Sequence, residues 1–262
     1  SKFYYLQEKG SAFTYKSVEG VSISPEELIE VKKTTPKMLF EQEYEAKFVS
    51  EAGMVFRNIE EVTVPQDQIL RDSRRGRFYT MGVDLAETQD FTVITVMDSE
   101  SHEVVHFDRF QGKDYPLQKE HIMLKAKRYN NARVILDSTG VGRPIYEDLR
   151  KSGVFVEDFT FTGKSKEELI GKLIVFLEEK YIRIPDIKVL QDELRAFEYK
   201  YLNEKTGEKL RNVQYGAPQG FHDDAVASLA LAVWGLYSGQ YKKFDPIVEE
   251  LKKVRKSKLI SY

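Results

Sequence analysis

The sequence predicts an α/β fold, a mixed sheet with helices on both faces. Three observations predict it. Between 78 and 110 lie three apolar runs joined by short links, which implies antiparallel neighbours. Further on, amphipathic helical patterns alternate with two short apolar runs, which implies strands that run parallel. Last, "GFHDDAVASLALAVW", Gly220 to Trp234, reads as a helix that is apolar almost all the way round. Such a helix is normally buried.

The elements follow in order. "SPEELIEVKK" (24–33) starts a helix, with Ser24 as N-cap and Pro25 in the first turn. "TPKMLFEQEYEAKFVS" (35–50) repeats the pattern, with Leu39, Phe40, Tyr44 and Phe48 at helical spacing. "GMVFRNIEEVTVPQDQ" is extended and turn-like, and the basic "RDSRRGR" (71–77) marks a domain boundary. "FYTMGVDLA" is a strand that delivers Asp84, followed by strands at 91–98 and 102–110. A helix over 116–129 leads to the strand "ARVILD" (132–137), which ends in Asp137. A short helix to Gly153 and the strand "VFVEDF" come next, then helices over 164–181 and 185–199. A hairpin over 199–216 turns at Thr206 and Gly207, and the apolar helix spans 222–237. Three regions result: residues 1–70, a main domain over 71–240, and a charged tail over 241–262.

Composition excludes several classes. The 262 residues are 41% hydrophobic, enough for a core, and the net charge is only −2. No strongly basic balance advertises a nucleic-acid binder, although an acidic site would offset basic patches elsewhere. The chain has no cysteine, so disulfides and thiolate zinc sites are excluded. No apolar run reaches the length of a membrane span. The start lacks the apolar core of a signal peptide and has no initial Met, so a longer parent chain is expected.

Three acidic points stand out: Asp84, Asp137 and the pair Asp223 and Asp224. Strand-end residues project into the crevice where α/β proteins bind ligands. The strands bearing Asp84 and Asp137 would be neighbours in a sheet of this order, so their carboxylates would lie side by side. The last helix must pack on that sheet, and its acidic start could reach the same place. Clustered carboxylates repel, and a divalent cation resolves the conflict. Hard oxygen ligands suit Mg²⁺ or Mn²⁺. Two such ions about 4 Å apart can activate water and stabilise the leaving oxygen in phosphodiester cleavage. Against this stand plainer roles: a helix-start Asp is a common N-cap, and a strand-end Asp a common turn residue.

"MGVDLAETQDFTVITV", "VILDSTGVGRPIYEDL" and "GFHDDAVASLALAVW" together resemble the nuclease domain of the large terminase subunit of tailed bacteriophages. The resemblance covers about residues 70–238. Upstream, "MLFEQEYEAKFVSEAGMVF" is similar to the segment joining the terminase ATPase domain to its nuclease. The resemblance implies a ribonuclease H-like fold with a β-hairpin near the active site. It implies Asp84 as the metal-bridging acid, Asp137 as the acid of the fourth strand, and Asp224 as the last acid. Asp223 is then an auxiliary ligand or the helix cap. Asp90 would bind a second ion or a water, and His222 would assist the leaving group, hold a phosphate, or only pack locally. Residues 1–70 become the trailing edge of the ATPase domain with its linker.

The implied activity is sequence-independent cleavage of concatemeric viral DNA during packaging, in the cytoplasm of the infected bacterial host. Implied partners are double-stranded DNA, the ATPase domain, the small terminase subunit and the portal, with no membrane. DNA needs positive charge near the acids. Arg143, Lys164, Lys166, Lys200, Lys205, Lys209 and Arg211 are the candidates, with Arg71, Arg74, Arg75 and Arg77 in the boundary loop. No ATP site is expected: Gly163-Lys164-Ser165 mimics the end of a phosphate loop, but Asp158 stands where its first glycine belongs. Two rival readings differ in class. An actin-like sugar kinase would need a duplicated domain and a Gly-Gly adenosine motif, and neither is found in the 262 residues. A non-catalytic DNA- or portal-docking domain would retain the acids for structure.

Overall fold

The computed structural model describes residues 24–37, 40, 41, 44, 52–85, 91–140, 142–202 and 209–238. Its centre is a five-stranded sheet. Strands β3 (Tyr79–Asp84), β4 (Thr92–Asp98) and β5 (Val104–Phe110) are antiparallel neighbours. β6 (Arg133–Asp137) and β7 (Val156–Phe159) continue the sheet from the other side of β3 as parallel strands. The spatial order is therefore β5-β4-β3-β6-β7. The mixed sheet expected from the link lengths is present, with β3 and β6 side by side.

Parity along the strands decides what each face receives, because successive side chains point to opposite faces. Tyr79, Met81 and Val83 of β3 join Val134 and Leu136 of β6 in one buried cluster. Helices α4 (Tyr115–Arg128) and α5 (Gly142–Lys151) cover that face with Ile122, Ala126, Ile145 and Leu149. The opposite parity, Thr80, Gly82 and Asp84, faces helix α8 (Asp224–Ser238), backed by α6 (Gly163–Glu178) and α7 (Lys188–Ala196). Asp137 shares the parity of Ile135, which packs in the cluster on the α8 side. Both strand-end acids therefore aim at the face that α8 occupies.

Helix α8 lies directly on β3, because the sequence removes side chains there. A Cβ on Gly82 would sit 2.0 Å from the carbonyl oxygen of Ser228, so only glycine allows this approach. The Ser228 hydroxyl is fully buried and lies 3.0 Å from the Gly82 carbonyl and 2.9 Å from the Thr95 hydroxyl. Thr80 donates to the Ala232 carbonyl at 3.1 Å. At the far end, Arg133 donates to the Gly235 carbonyl at 2.6 Å. Val226, Leu229, Leu231 and Val233 are buried, and each contributes about 1.5–3 kcal/mol by leaving water. These contacts fix the helix along β3 and so place its acidic first turn beside Asp84.

The segment before the sheet is more structured than its composition suggests. α1 (Pro25–Thr34) begins at a capping box made by Ser24 and Glu27. The expected helix over 35–50 falls largely outside the described residues. The stretch expected to be extended holds β1 (Ala52–Met54), β2 (Thr63–Val64) and two single-turn helices, α2 (Ile59–Val62) and α3 (Gln66–Ile69). Phe56, Ile59 and Val62 pack into the cluster on the α8 side. β1 pairs with β9 (Glu198–Leu202), which pairs in turn with β10 (Lys209–Gly216). β2 pairs with β8 (Ile184–Pro185) in parallel. The hairpin is present, and its turn lies outside the described residues. No helix among them is long and apolar enough to cross a membrane.

Candidate active site

Asp84 ends β3 one residue past Val83, and Val83 is paired with Leu136, the residue before Asp137. The two carboxylates thus stand on adjacent parallel strands at the same level. Asp137 is held by its own turn: the Thr139 N–H donates to Asp137 Oδ1 at 2.8 Å. The loop then folds tightly over the strand. A Cβ on Gly142 would sit 2.0 Å from the Asp137 carbonyl oxygen, which explains the glycine that closes "STGVG". Asp223 and Asp224 arrive from the start of α8.

Three of the carboxylates act on the fourth, Asp84. Burial, then the charges of Asp137, Asp224 and Asp223, push Asp84 well above the ordinary aspartate value of 3.8, against the opposing charge of Lys166. Burial also raises Asp137, opposed by its bonds from Thr139 and by Lys166. The pattern is that of acids held together without enough positive charge to balance them.

The start of α8 shows how Asp223 is held. The backbone carbonyl of Asp223 accepts the first helical bond, from Ala227 N–H at 2.8 Å, so Asp223 occupies the cap position. The free N–H of Ala225, however, donates to Glu193 Oε2 of α7 at 2.8 Å. A side chain from another helix thus satisfies this N–H, and the Asp223 carboxylate turns to Lys166, whose Nζ lies 3.1 Å from Asp223 Oδ2. Glu193 is buried, and that burial raises its pKa against the bond from Ala225.

A second cation approaches from β5. The Arg109 guanidinium stacks on Phe91, 3.4 Å from the ring centroid. Its Nη2 lies 3.6 Å from Glu193 Oε1 and 3.9 Å from Asp224 Oδ2. His222 packs its ring edge-on against Phe91, with Nδ1 3.7 Å from Asp224 Oδ2. Glu193 and Arg109 were not among the residues singled out from sequence. Glu193 had a signal: it sits between Leu190 and Phe197 on the buried stripe of its helix, where a charge is unexpected. Arg109 had none, since an arginine near a strand end is ordinary.

The other basic candidates lie elsewhere or are engaged. Arg143 is more than half exposed and bound to Asp158 at 2.8 Å and Glu147 at 3.3 Å. Lys164 is exposed at the start of α6, with Glu168 3.9 Å away. Lys200 lies on β9, and Lys209 and Arg211 lie on β10, without described side chains. Lys205 and Asp90 lie outside the described residues. The hairpin stem does reach the acids: a Cβ on Gly216 would meet Asp223 Oδ2 at 3.8 Å. Arg71 and Arg77 bind Asp98, Glu103 and Glu100 at the other end of the sheet.

As they stand, no three or more histidine, aspartate or glutamate side chains among the described residues converge closely enough to hold an ion. The carboxylates neighbour one another at electrostatic range, with the Lys166 ammonium beside Asp223. The donor set itself fits a hard divalent cation: carboxylate oxygens from two strand ends and a helix start, without sulfur.

The sequence matches the family model "Terminase RNaseH-like domain" over residues 81–234. The chain belongs to this family. It is 32% identical over 231 residues to the large terminase subunits of Thermus virus P23-45 and Thermus phage G20c, covering 86% of this chain and 45% of each relative. It therefore spans about half the length of these relatives. Among solved structures, it is similar to the large terminase nuclease of thermophilic phage G20c with bound magnesium. That match has a TM-score of 0.62 at 29% identity, over 69% of this chain and 96% of the other. The same nuclease with bound cobalt matches with a TM-score of 0.62. The Thermus phage P74-26 nuclease domain matches with a TM-score of 0.61 at 28% identity. A ribonuclease H-like α/β fold is thus shown by family, relatives and structure together.

Proposed function

We propose that this chain is a metal-dependent DNA endonuclease that cuts concatemeric viral DNA during genome packaging with little sequence specificity. The observation that carries the reading is the placement of Asp84, Asp137, Asp223 and Asp224 at one end of the sheet, within electrostatic range, with Asp84 driven toward protonation. An acid cluster of this kind is costly to a fold unless a cation uses it. The metal-bound relatives support the same reading.

Mg²⁺ or Mn²⁺, two ions in the full mechanism, would supply Lewis-acid activation of water and stabilisation of the leaving oxygen. The chain's own residues do the rest. Asp84, Asp137 and Asp224 would hold the ions, with Asp223 as an auxiliary ligand. Thr139 holds the Asp137 carboxylate, and Glu193 anchors the first turn of α8, which carries Asp224 next to its cap residue Asp223. His222 borders Asp224 and would hold a phosphate or assist the leaving group. Asp90 would bind a second ion or a water. Arg143, Lys164, Lys166 and the hairpin cations Lys200, Lys205, Lys209 and Arg211 hold the DNA backbone. In this reading residues 1–70 trail from an ATPase domain, residues 71–240 form the nuclease, and 241–262 are a charged tail. The small subunit and the portal complete the machine in the cytoplasm of the infected bacterium.

Supercoiled plasmid incubated with this chain and Mn²⁺, Mg²⁺ or chelator tests the reading. Nicking and linearisation that need metal, and that vanish in Asp84→Asn, are expected. A folded chain that cuts nothing under any condition would favour a docking domain instead.

A further inference from the structure

Lys166 and Arg109 both bring positive charge to the acids, but they are held differently. Arg109 is pinned by its stack on Phe91 and meets carboxylates only at 3.6 and 3.9 Å. The Lys166 ammonium is bonded to Asp223 at 3.1 Å, and its nearest rings, Phe161 and Phe197, lie 6.0 Å away. Both Lys166 and Asp223 side chains are about one-third exposed. Lysine is a compact charge on a flexible stem, so its head can leave one partner for another without moving α6.

We propose that Lys166 is the resident counter-cation of the acid cluster: a divalent ion displaces its ammonium from Asp223, and the freed ammonium then holds a DNA phosphate. This rests on the proposed metal-dependent nuclease. The exchange is one of ion pairs only. The ammonium keeps its proton, the contact to Asp223 breaks, and a contact to a phosphate oxygen forms. Charge supports the idea, since the same lysine offsets the acid repulsion at Asp84 and the burial of Asp137. Position supports it too. Lys166 lies in the first turn of α6, whose N-terminus favours phosphate. The lysine thereby couples metal arrival to DNA grip: without metal it serves the acids, and with metal it serves the substrate.

The test uses Lys166→Met, which keeps the stem and removes the charge, with Lys166→Arg as the conservative control. Manganese binding is read by calorimetry on the full chain without DNA. Loss of the competing cation should tighten Mn²⁺ binding about tenfold in Lys166→Met, with parent-like affinity in Lys166→Arg. Binding of a duplex is then measured with Ca²⁺ and with chelator. Lys166→Met should lose affinity for DNA in Ca²⁺ and match the parent in chelator. Unchanged or weaker Mn²⁺ binding in a folded Lys166→Met would overturn the proposal and reduce Lys166 to a structural ion pair. A DNA defect equal in both conditions would overturn it as well. If the parent itself binds no Mn²⁺, the nuclease reading falls and this inference falls with it. If the parent binds and Lys166→Met binds equally, only the inference falls.

Discussion

Asp84 and Asp98 end neighbouring strands of one antiparallel pair, at opposite ends of the sheet: Tyr79 faces Asp98, and Asp84 faces Val93. In sequence each is an aspartate closing an apolar run. In the fold they are opposites. Asp98 is fully buried, and burial alone would raise its pKa, yet the N–H groups of Glu100 and Ser101 and the Arg77 guanidinium hold it below the usual range. Asp84 has other carboxylates for company and is pushed the other way. In the proposed function, the difference separates an acid that serves the fold from one that serves chemistry. A buried charge matched by donors is structural, and one left facing like charges is kept for a ligand that brings the opposite charge.

Mutation separates the two aspartates most strongly. Replacing Asp84 by Asn should lower plasmid cleavage about 1000-fold or more, because several kcal/mol of transition-state stabilisation are lost. The metal-free variant should melt no lower than the parent. Asp98→Ala should do the reverse. It leaves Arg77 without its carboxylate and opens the turn at 99–101, at a cost of about 2–3 kcal/mol in urea denaturation. Its folded fraction should cut at the parental rate. If Asp98→Ala abolished cleavage in folded protein, the two ends of the sheet would not be independent.

A smaller effect sharpens the picture at the start of α8. Glu193→Ala removes the carboxylate that accepts from Ala225, and should cost about 1–2 kcal/mol as a lost cap. Its Mn²⁺ affinity should fall too, since the acids of that turn lose their anchor, while Glu193→Gln keeps an acceptor and most of that affinity. Equal metal binding in Glu193→Ala would show that the cap serves stability alone.

The smallest effect is one of pH. Asp84 holds its proton more tightly in the folded chain than in the unfolded one. The folded state therefore binds more protons, and its stability falls as pH rises. The loss begins near the ordinary value of 3.8 and is complete above the raised one. Metal-free melting temperatures of the parent should thus drop relative to Asp84→Asn as pH rises through that window. A constant gap would mean that Asp84 is not strained by its neighbours.

Much of this was legible in the sequence. Short links between apolar runs gave the antiparallel order, and the single crossover to 132–137 gave the adjacency of Asp84 and Asp137. Strand parity then carried both acids to the α8 face. The remainder depended on contacts between distant side chains. Nothing local distinguishes Asp98 from Asp84, since their partners arrive from a loop in one case and from another strand and a helix in the other. The pairing of Lys166 with Asp223 spans 57 positions, and the cap from Glu193 spans 32. Arg71 and Arg77 read as DNA contacts by charge alone, and the fold sends them to Asp98 instead.

In the proposed function, one end of the sheet binds a divalent cation. Calorimetric titration of Mn²⁺ into the parent, Asp84→Asn and Asp98→Asn, each confirmed folded, measures that directly. Saturable binding in the parent and in Asp98→Asn, with none in Asp84→Asn, is predicted. Equal binding by the parent and Asp84→Asn would contradict it.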